Sequence, residues 1–334
     1  MILPYSVRLV CLCLEMLFLF NLATSALVMG LSGTVAKAAG RMRPQHAARW
    51  FLGLRLLPTT LSLLLIAALC VPSYLRYEQN TGSEGMGRFC IAAALMGLGL
   101  VLTSAVRGAF ALVQSYRISR ISRMPHGTQQ VQPRRVADTD IWVTEGNAGE
   151  PLMALVGVFR PRVLVSRRLL QALTAPQLEA ALRHERAHQV SQDNLKRLLM
   201  AVLPGVVPGM IRFKGGLTAV ETQWERFAEL AADDYAAGGR ADRSIALAET
   251  LVKVARLRTY EVPMPLASSL SAADRQLAFR VERLMSVPCA APLRNSRGAL
   301  ARRYLLLLSG LMCLLVILPK IFYPLYPLLE SLLH

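Results

Sequence analysis

The sequence predicts an α-helical integral membrane protein with an α+β domain inserted between its third and fourth transmembrane helices. Apolar residues make up 54% of the chain and its mean hydropathy is positive, which points away from a purely soluble protein. Four apolar runs, 7–30, 56–74, 89–106 and 304–322, are each close to the roughly 17 to 25 residues a helix needs to cross a bilayer core. Between the third and fourth lies a long, more polar stretch in which short β-branched segments give way to helical ones. The expected organisation is three transmembrane helices with their loops in 1–115, the inserted domain in 116–302, and a fourth transmembrane helix with a short tail in 303–334.

Small residues in "LATSALVMG" allow the first run to be read as a signal peptide, but its apolar stretch is longer than a usual signal core. The net charge of +17 would ordinarily suggest nucleic acid. Its distribution points instead to topology. The loop 33–50 carries Lys37, Arg41, Arg43 and Arg49 with no acid, whereas 75–88 balances Arg76 and Arg88 against Glu78 and Glu84. The inserted domain is flanked by Arg117, Arg120, Arg123, Arg134 and Arg135 before it and by Arg294, Arg297, Arg302 and Arg303 after it. By the positive-inside rule the domain is cytoplasmic and both termini lie outside, in a multi-pass protein of the cell membrane. The lipid bilayer is then the partner the basic excess serves, and no direct nucleic-acid binding is expected. Five of the six Cys (Cys11, Cys13, Cys70, Cys90 and Cys313) lie in or beside apolar runs, and only Cys289 is in the domain, so no disulfide framework or zinc knuckle is expected.

Within the domain, "PHGTQQVQPRR" (125–135) reads as a polar linker. "DIWVTEG", "PLMALVGVF" and "PRVLVS" suggest about three strands of a small sheet. "TAPQ" is a capping-box signature, with Thr174 as N-cap and Gln177 as N3, so a helix should run from there past His188 to about Gln192. The next stretch, 194–216, is broken by Pro204, Gly205, Pro208 and Gly209 and is too short for a clean span, so a bend or hairpin at the bilayer face is expected. Helices are then expected over 218–238, stopped by Gly238, and over 243–258 and 271–285.

The chemistry lies in "HERAH". With five His and fourteen Glu in 334 residues, HExxH arises in only roughly three of a thousand shuffled chains. On a helix His184 and His188 project from one face, one turn apart, which suits two imidazoles converging on a tetrahedral zinc. Glu185 beside them can reach a water there as general base without ligating the metal. A third ligand must come from elsewhere, and the helix at 221–237 offers Glu221, Glu225, Glu229 and Asp233 at intervals of four; spacing does not choose among them.

"HERAH", "QVSQDNL" and, some forty residues on, "ERFAELAADDYAA" resemble the gluzincin pattern of HExxH with a downstream ExxAD. The stretch "GVFRPRVLVSRRLLQALTAPQLEAALRHERAHQVSQDNL" resembles more particularly the BlaR/MecR-type antirepressor membrane metallopeptidases, over about residues 140–240. The resemblance implies a zincin-like metallopeptidase domain hydrolysing peptide bonds with one Zn2+ per chain, Glu229 as third ligand, and Asp233 as partner of a zinc-bound His. Asp193 and Asn194 match the family's Asp-Asn after the second His, with a helix-ending or supporting role. It implies as substrate a cytoplasmic protein, such as a transcriptional repressor of the BlaI type. The family's antibiotic sensors carry a penicillin-binding domain after their last span; without one here, a signal is expected to be read by the spans, the outer loop or a partner. HtpX and CAAX-prenyl-protease types share HExxH and ExxAD, so quality-control proteolysis is the alternative, with a non-catalytic membrane regulator as another.

Other residues carry two readings each. Glu221 and Glu225 read as surface residues if they do not bind metal. Arg280, in "FRVERLM", is either a surface or salt-bridged residue or a contact to substrate or oxyanion. Glu15 inside the first span is either functional or a protonated residue of a helix interface. His46 and His126 read as surface or interfacial residues, and "RVLVS" can present an edge to an extended substrate.

Overall fold

The structure, a computed structural model, describes residues 4–77, 87–121, 133–136, 139–144, 153–159, 161–204, 217–257, 268–269 and 274–286. Three helical rods open the chain: α1 (Tyr5–Ala39), α2 (Pro44–Leu65) running through a π-turn (Ile66–Cys70) into α3 (Val71–Tyr77), and α4 (Arg88–Ile121). The segments Tyr5–Ala39, Pro44–Arg76 and Arg88–Arg117 are long and apolar enough to cross a membrane. At 1.5 Å per residue each exceeds a hydrocarbon core of about 30 Å, so one end of each rod extends beyond it. Gly97 of α4 packs on the Leu14 carbonyl of α1, where any Cβ would collide with backbone. The fourth apolar run, His126, Cys289 and Cys313 lie outside the described residues.

After α4 comes a mixed sheet, β1 (Pro133–Val136), β2 (Thr139–Thr144), β3 (Met153–Val156), β4 (Arg162–Ser166) and, much later, β5 (Ser268–Ser269), in the order β1-β2-β4-β3-β5. Two expectations are corrected here. Pro133–Val136 is not linker but a strand pairing antiparallel with β2, at the sheet edge where a proline's missing donor is tolerated. The strand RVLVS is not an edge: β4 pairs in parallel with β2, Ile141 opposite Val163, and antiparallel with β3, Leu155 opposite Val163. Both of its backbone sides are used, and it has none to offer a substrate.

Helices cover the sheet. Ser166 caps the short α5 (Arg167–Ala172), its hydroxyl accepting from Leu169 N at 3.2 Å. The capping box forms as expected at the start of α6 (Ala175–Ser191), with Thr174 N donating to Gln177 Oε1 at 3.1 Å. Gln192 turns left-handed at φ 56° and ends α6, so α7 (Asp193–Val202) leaves in a new direction. Two longer helices, α8 (Leu217–Ala237) and α9 (Ala241–Leu257), are separated by Gly238 at φ 58°, and α10 (Asp274–Ser286) packs on both. Ile141, Leu155, Val163 and Val165 of the sheet join Leu169, Leu182, Leu247 and Leu251 in one apolar core, with α6 sandwiched between the sheet and the pair α8–α9. Each such fully buried aliphatic side chain contributes about 1.5 to 3 kcal/mol.

The long apolar helices and this domain share a second core. Ala47 and Phe51 of α2 pack on Val220, Trp224, Phe227 and Ala228 of α8, with the Phe51 and Phe227 rings stacked 5.6 Å apart. Arg55, fully buried in α2, donates from Nε to Glu221 Oε1 at 2.5 Å and from Nη2 to the carbonyls of Met200 (2.7 Å) and Leu203 (3.4 Å), satisfying the free carbonyls at the end of α7. Asn21 and Thr59 both donate to the Pro204 carbonyl. The reading of Glu221 as a surface residue is thereby overturned: it is the half-buried partner of Arg55.

Candidate metal centre

The α6 period of 3.6 places His184, Glu185 and His188 toward α8, and all three are buried. On α8, Glu229 and Asp233 face back toward them, also buried. His184 Nε2 and His188 Nε2 are 3.2 Å apart, His184 Nε2 is 3.4 Å from Glu229 Oε2, and His188 Nε2 is 3.5 Å from Glu229 Oε1. A tetrahedral zinc with bonds of about 2.0 to 2.1 Å separates its ligand atoms by about 3.3 to 3.4 Å. The three side chains thus stand at the spacing that zinc requires, and they form a group able to hold a metal ion.

A second observation concerns Glu185. Both of its carboxylate oxygens are buried with no hydrogen-bond partner among the described residues. A buried carboxylate without partners is costly, by several kcal/mol, so the position suits a group that engages water at the centre and not one that holds the fold together. Burial raises its proton affinity above the ordinary carboxylate range, and the neighbouring His188 and His184 restrain that rise.

The two His side chains are themselves held. His188 Nδ1 lies 2.7 Å from Asp193 Oδ2, whose other oxygen accepts from Lys196 Nζ at 2.7 Å. His184 Nδ1 lies 3.1 Å from Asp233 Oδ1, close enough for an ion pair though bent for a hydrogen bond. These contacts leave Nε2 of each ring to face the centre, the orientation that outer carboxylates impose on metal-binding imidazoles. Arg280 of α10, buried to 2% exposure, donates to Asp233 through Nε (2.8 Å) and Nη2 (2.7 Å) and meets Glu229 Oε2 through Nη1 at 3.0 Å.

The charges reflect this network. Burial opposes ionisation of Glu229, but His188, Arg280 and His184 hold it down to about 2. Burial likewise opposes the charge on Asp233 and Asp193; Arg280 with His184 depresses the first, and His188 with Lys196 the second, both below the usual carboxylate range. For His184 burial favours the neutral ring, yet Asp233 and Glu229 carry it up to about 9. Arg280, despite its burial, is held more firmly protonated by Asp233 and Glu229.

Of the residues singled out in the sequence for this chemistry, His184, Glu185, His188 and Glu229 come together at the centre with Asp193, Asp233 and Arg280 around it, whereas Glu221 pairs with Arg55 away from it. Arg280 takes the salt-bridged of its two readings: it is buried and cross-braces two carboxylates. Glu225 is exposed, one turn before Glu229. Asn194 supplies a contact the sequence did not suggest, donating to the carbonyls of Leu155 (2.9 Å) and Gly157 (2.8 Å) and so tying the start of α7 to β3. A signal for Arg280 was present: Leu277, Arg280 and Leu284 recur at helical spacing, which puts the guanidinium on the apolar side of α10.

A helix bearing HExxH, a buried carboxylate facing it from a neighbouring helix and a small mixed sheet are features of zincin-type metallopeptidases. Residues 134–286 match the family model described as Peptidase family M48, which spans the sheet, both ligand helices and α10 and supports a metallopeptidase of this type. No curated protein and no solved structure matches the chain.

Proposed function

We propose that the chain is a membrane-embedded, zinc-dependent endopeptidase. The observation that carries this reading is the convergence of two imidazole nitrogens and one carboxylate at tetrahedral spacing, with an unpartnered buried carboxylate beside them. His184, His188 and Glu229 would hold a zinc ion, which when bound would supply Lewis acidity to a water and to a peptide carbonyl. Glu185 takes the proton of the attacking water on a carboxylate oxygen and returns it to the leaving amine. Asp193 and Asp233 keep each ring's Nε2 toward the centre, and Arg280 fixes Glu229 and Asp233 relative to each other.

The test is Glu185→Gln in the purified full-length protein. The amide keeps the shape but accepts no proton, so zinc content is expected to match the wild type while peptide cleavage falls by about 100-fold or more. Cleavage at the wild-type rate would remove Glu185 from the mechanism.

The resemblance to antirepressor peptidases and the basic flanks of the domain support a regulatory role on the cytoplasmic face, with a transcriptional repressor of the BlaI type as substrate. Cleavage of a folded repressor at one site, with unfolded casein left intact, is the expected outcome; the reverse pattern would assign the enzyme to quality control.

A further inference from the structure

Peptide hydrolysis makes no use of three exposed apolar side chains of the domain. Phe159, at the turn between β3 and β4, is 81% exposed, and Leu199 and Val202, on one face of α7, are each 40% exposed. Each of them touches α4 or follows a residue that packs with it. Val158 and Ala201 pack on Ala111 of α4 and Leu198 of α7. Gly108 of α4 admits Val202 so closely that a Cβ there would meet its Cγ2 at 2.6 Å. The β3–β4 turn is held in place from both sides. Asn194 Nδ2 donates to the Leu155 and Gly157 carbonyls at 2.9 and 2.8 Å, and Gln189 Nε2 donates to the Pro161 carbonyl at 3.3 Å. Gly157 bends at φ 101°, a conformation that a side chain would resist.

The charges of α4 set the level at which these contacts fall. The stretch 89–106 carries none, and from Arg88 to Arg107 the helix rises about 28 Å, close to the thickness of a hydrocarbon core, about 30 Å. Arg107 is exposed, which fits the boundary of that core on the side of the domain, where a guanidinium reaches water. Gly108 and Ala111 follow within about 6 Å along the axis, inside a headgroup layer that adds roughly 5 to 7 Å on each side. The side chains of α4 at this level are of the same kind, with Phe110, Leu112 and Val113 exposed. An apolar surface therefore continues from the rod onto the domain at the height of the bilayer surface. The boundary of headgroups and acyl chains accepts such a surface as it accepts the apolar face of an interfacial helix.

We propose that the β3–β4 turn and the last turns of α7 dip into the bilayer surface beside α4, with Phe159 as the principal lipid contact. The partner of this patch is the headgroup and upper acyl layer of the membrane that α4 crosses. This placement deepens the membrane-embedded reading of the chain and rests on it. It is independent of the metal and of peptide cleavage.

The test uses full-length Phe159→Trp, with Ile245→Trp on α9, 45% exposed, as control. Both are reconstituted in vesicles of phosphatidylcholine and phosphatidylglycerol, with and without brominated acyl chains, which quench tryptophan on contact. Subtracting the emission of the wild type removes Trp50, Trp142 and Trp224. The added emission of Phe159→Trp should be blue-shifted, lose most of its intensity to bromine near the head of the acyl chain, and lose less to bromine near its end. That of Ile245→Trp should not change. Equal quenching in the two variants would overturn the proposal. A blue-shifted Phe159→Trp emission that bromine leaves untouched would overturn it too, and would assign the patch to protein, a second copy or a peptide. Extraction with alkaline carbonate separates this contact from the reading beneath it. Protein that resists extraction while Phe159→Trp stays unquenched refutes the lipid contact alone; protein that is extracted refutes the membrane-embedded reading with it.

Discussion

Arg280→Ala removes a cation braced between two carboxylates of the centre. The guanidinium is 2% exposed and meets Asp233 at 2.7 and 2.8 Å and Glu229 at 3.0 Å. Taking away one partner of a buried ion pair costs about 3 to 5 kcal/mol, because the remaining charge stays in a poorly polarisable interior. For a domain of this size each kcal/mol lowers Tm by about 2 to 4 °C, so a drop of about 6 to 20 °C is expected. The same helix offers a control. Arg283 pairs with Asp234 at 2.6 and 3.0 Å with similar chemistry, but its side chain is 21% exposed. Water-accessible pairs are worth about 0 to 1 kcal/mol, so Arg283→Ala should cost no more than about 4 °C. Zinc sharpens the comparison: a dication at Glu229 repels Arg280, so saturating zinc should raise the Tm of Arg280→Ala by more than that of the wild type. Thermal unfolding in detergent at one scan rate, with chelator and with zinc, measures all three proteins. Equal losses in Arg280→Ala and Arg283→Ala, or equal gains from zinc in the variant and the wild type, would refute the reasoning.

Asp193→Asn should weaken zinc binding by about 10- to 100-fold, measured by chelator competition, because it unsettles the ring of His188; Lys196→Ala, which touches only the other oxygen of Asp193, should have a smaller effect. In zinc-stripped protein His184 is raised from 6.5 to about 9, so its contribution to stability is complete below about 6.5 and is lost as pH rises through 9; Tm should fall over that window. Zinc uptake near pH 7.5 should accordingly release a proton, read with an indicator dye, and proton-neutral uptake would contradict the charge assigned to His184. On the acid side Glu229, lowered from 4.5 to about 2, stabilises above 4.5 and loses that effect as pH falls through 2. A fragment of residues 116–302 lacks Phe51 and Arg55, exposes Val220, Trp224 and Phe227, and should aggregate or retain less zinc than the full chain; monomeric fragment with full zinc content would argue against a shared core.

The parts of the site that local pattern governs were legible in the sequence. HExxH, its helix and its capping box rest on spacing and on residue types whose physics is contained within a few turns. The choice of third ligand was not legible from spacing, since Glu221, Glu225, Glu229 and Asp233 repeat every four residues on one helix. What separates them is tertiary: α8 passes between α2 and α6, so Glu221 meets Arg55 while Glu229 and Asp233 meet the two His. Strand order was equally beyond reach. A basic, proline-led segment such as Pro133–Val136 reads as a linker until β2 pairs with it, and only the parallel pairing of β2 with β4 puts RVLVS inside the sheet.

The two faces of α8 connect the long apolar helices with the candidate centre. Trp224 and Phe227 bind it to α2, and Glu229 and Asp233, within two turns, bind it to the His pair and Arg280. The same α2 residue that grips α8 through Glu221 also holds the end of α7 through the Met200 and Leu203 carbonyls, and α7 begins with the Asp193 that orients His188. Arg55 therefore bears on two of the elements that shape the centre, and α1 joins it through Asn21 at Pro204. A change in the angle between α2 and α6 that carried α8 with it would move Glu229 relative to His184 and His188, against the bond from Arg183 Nε of α6 to the Ala236 carbonyl of α8. Displacements of about 1 Å at such a centre cost on the order of a hundredfold in rate. The geometry of the group His184, His188 and Glu229 is thus tied both to the core of the domain and to helices of membrane-spanning length.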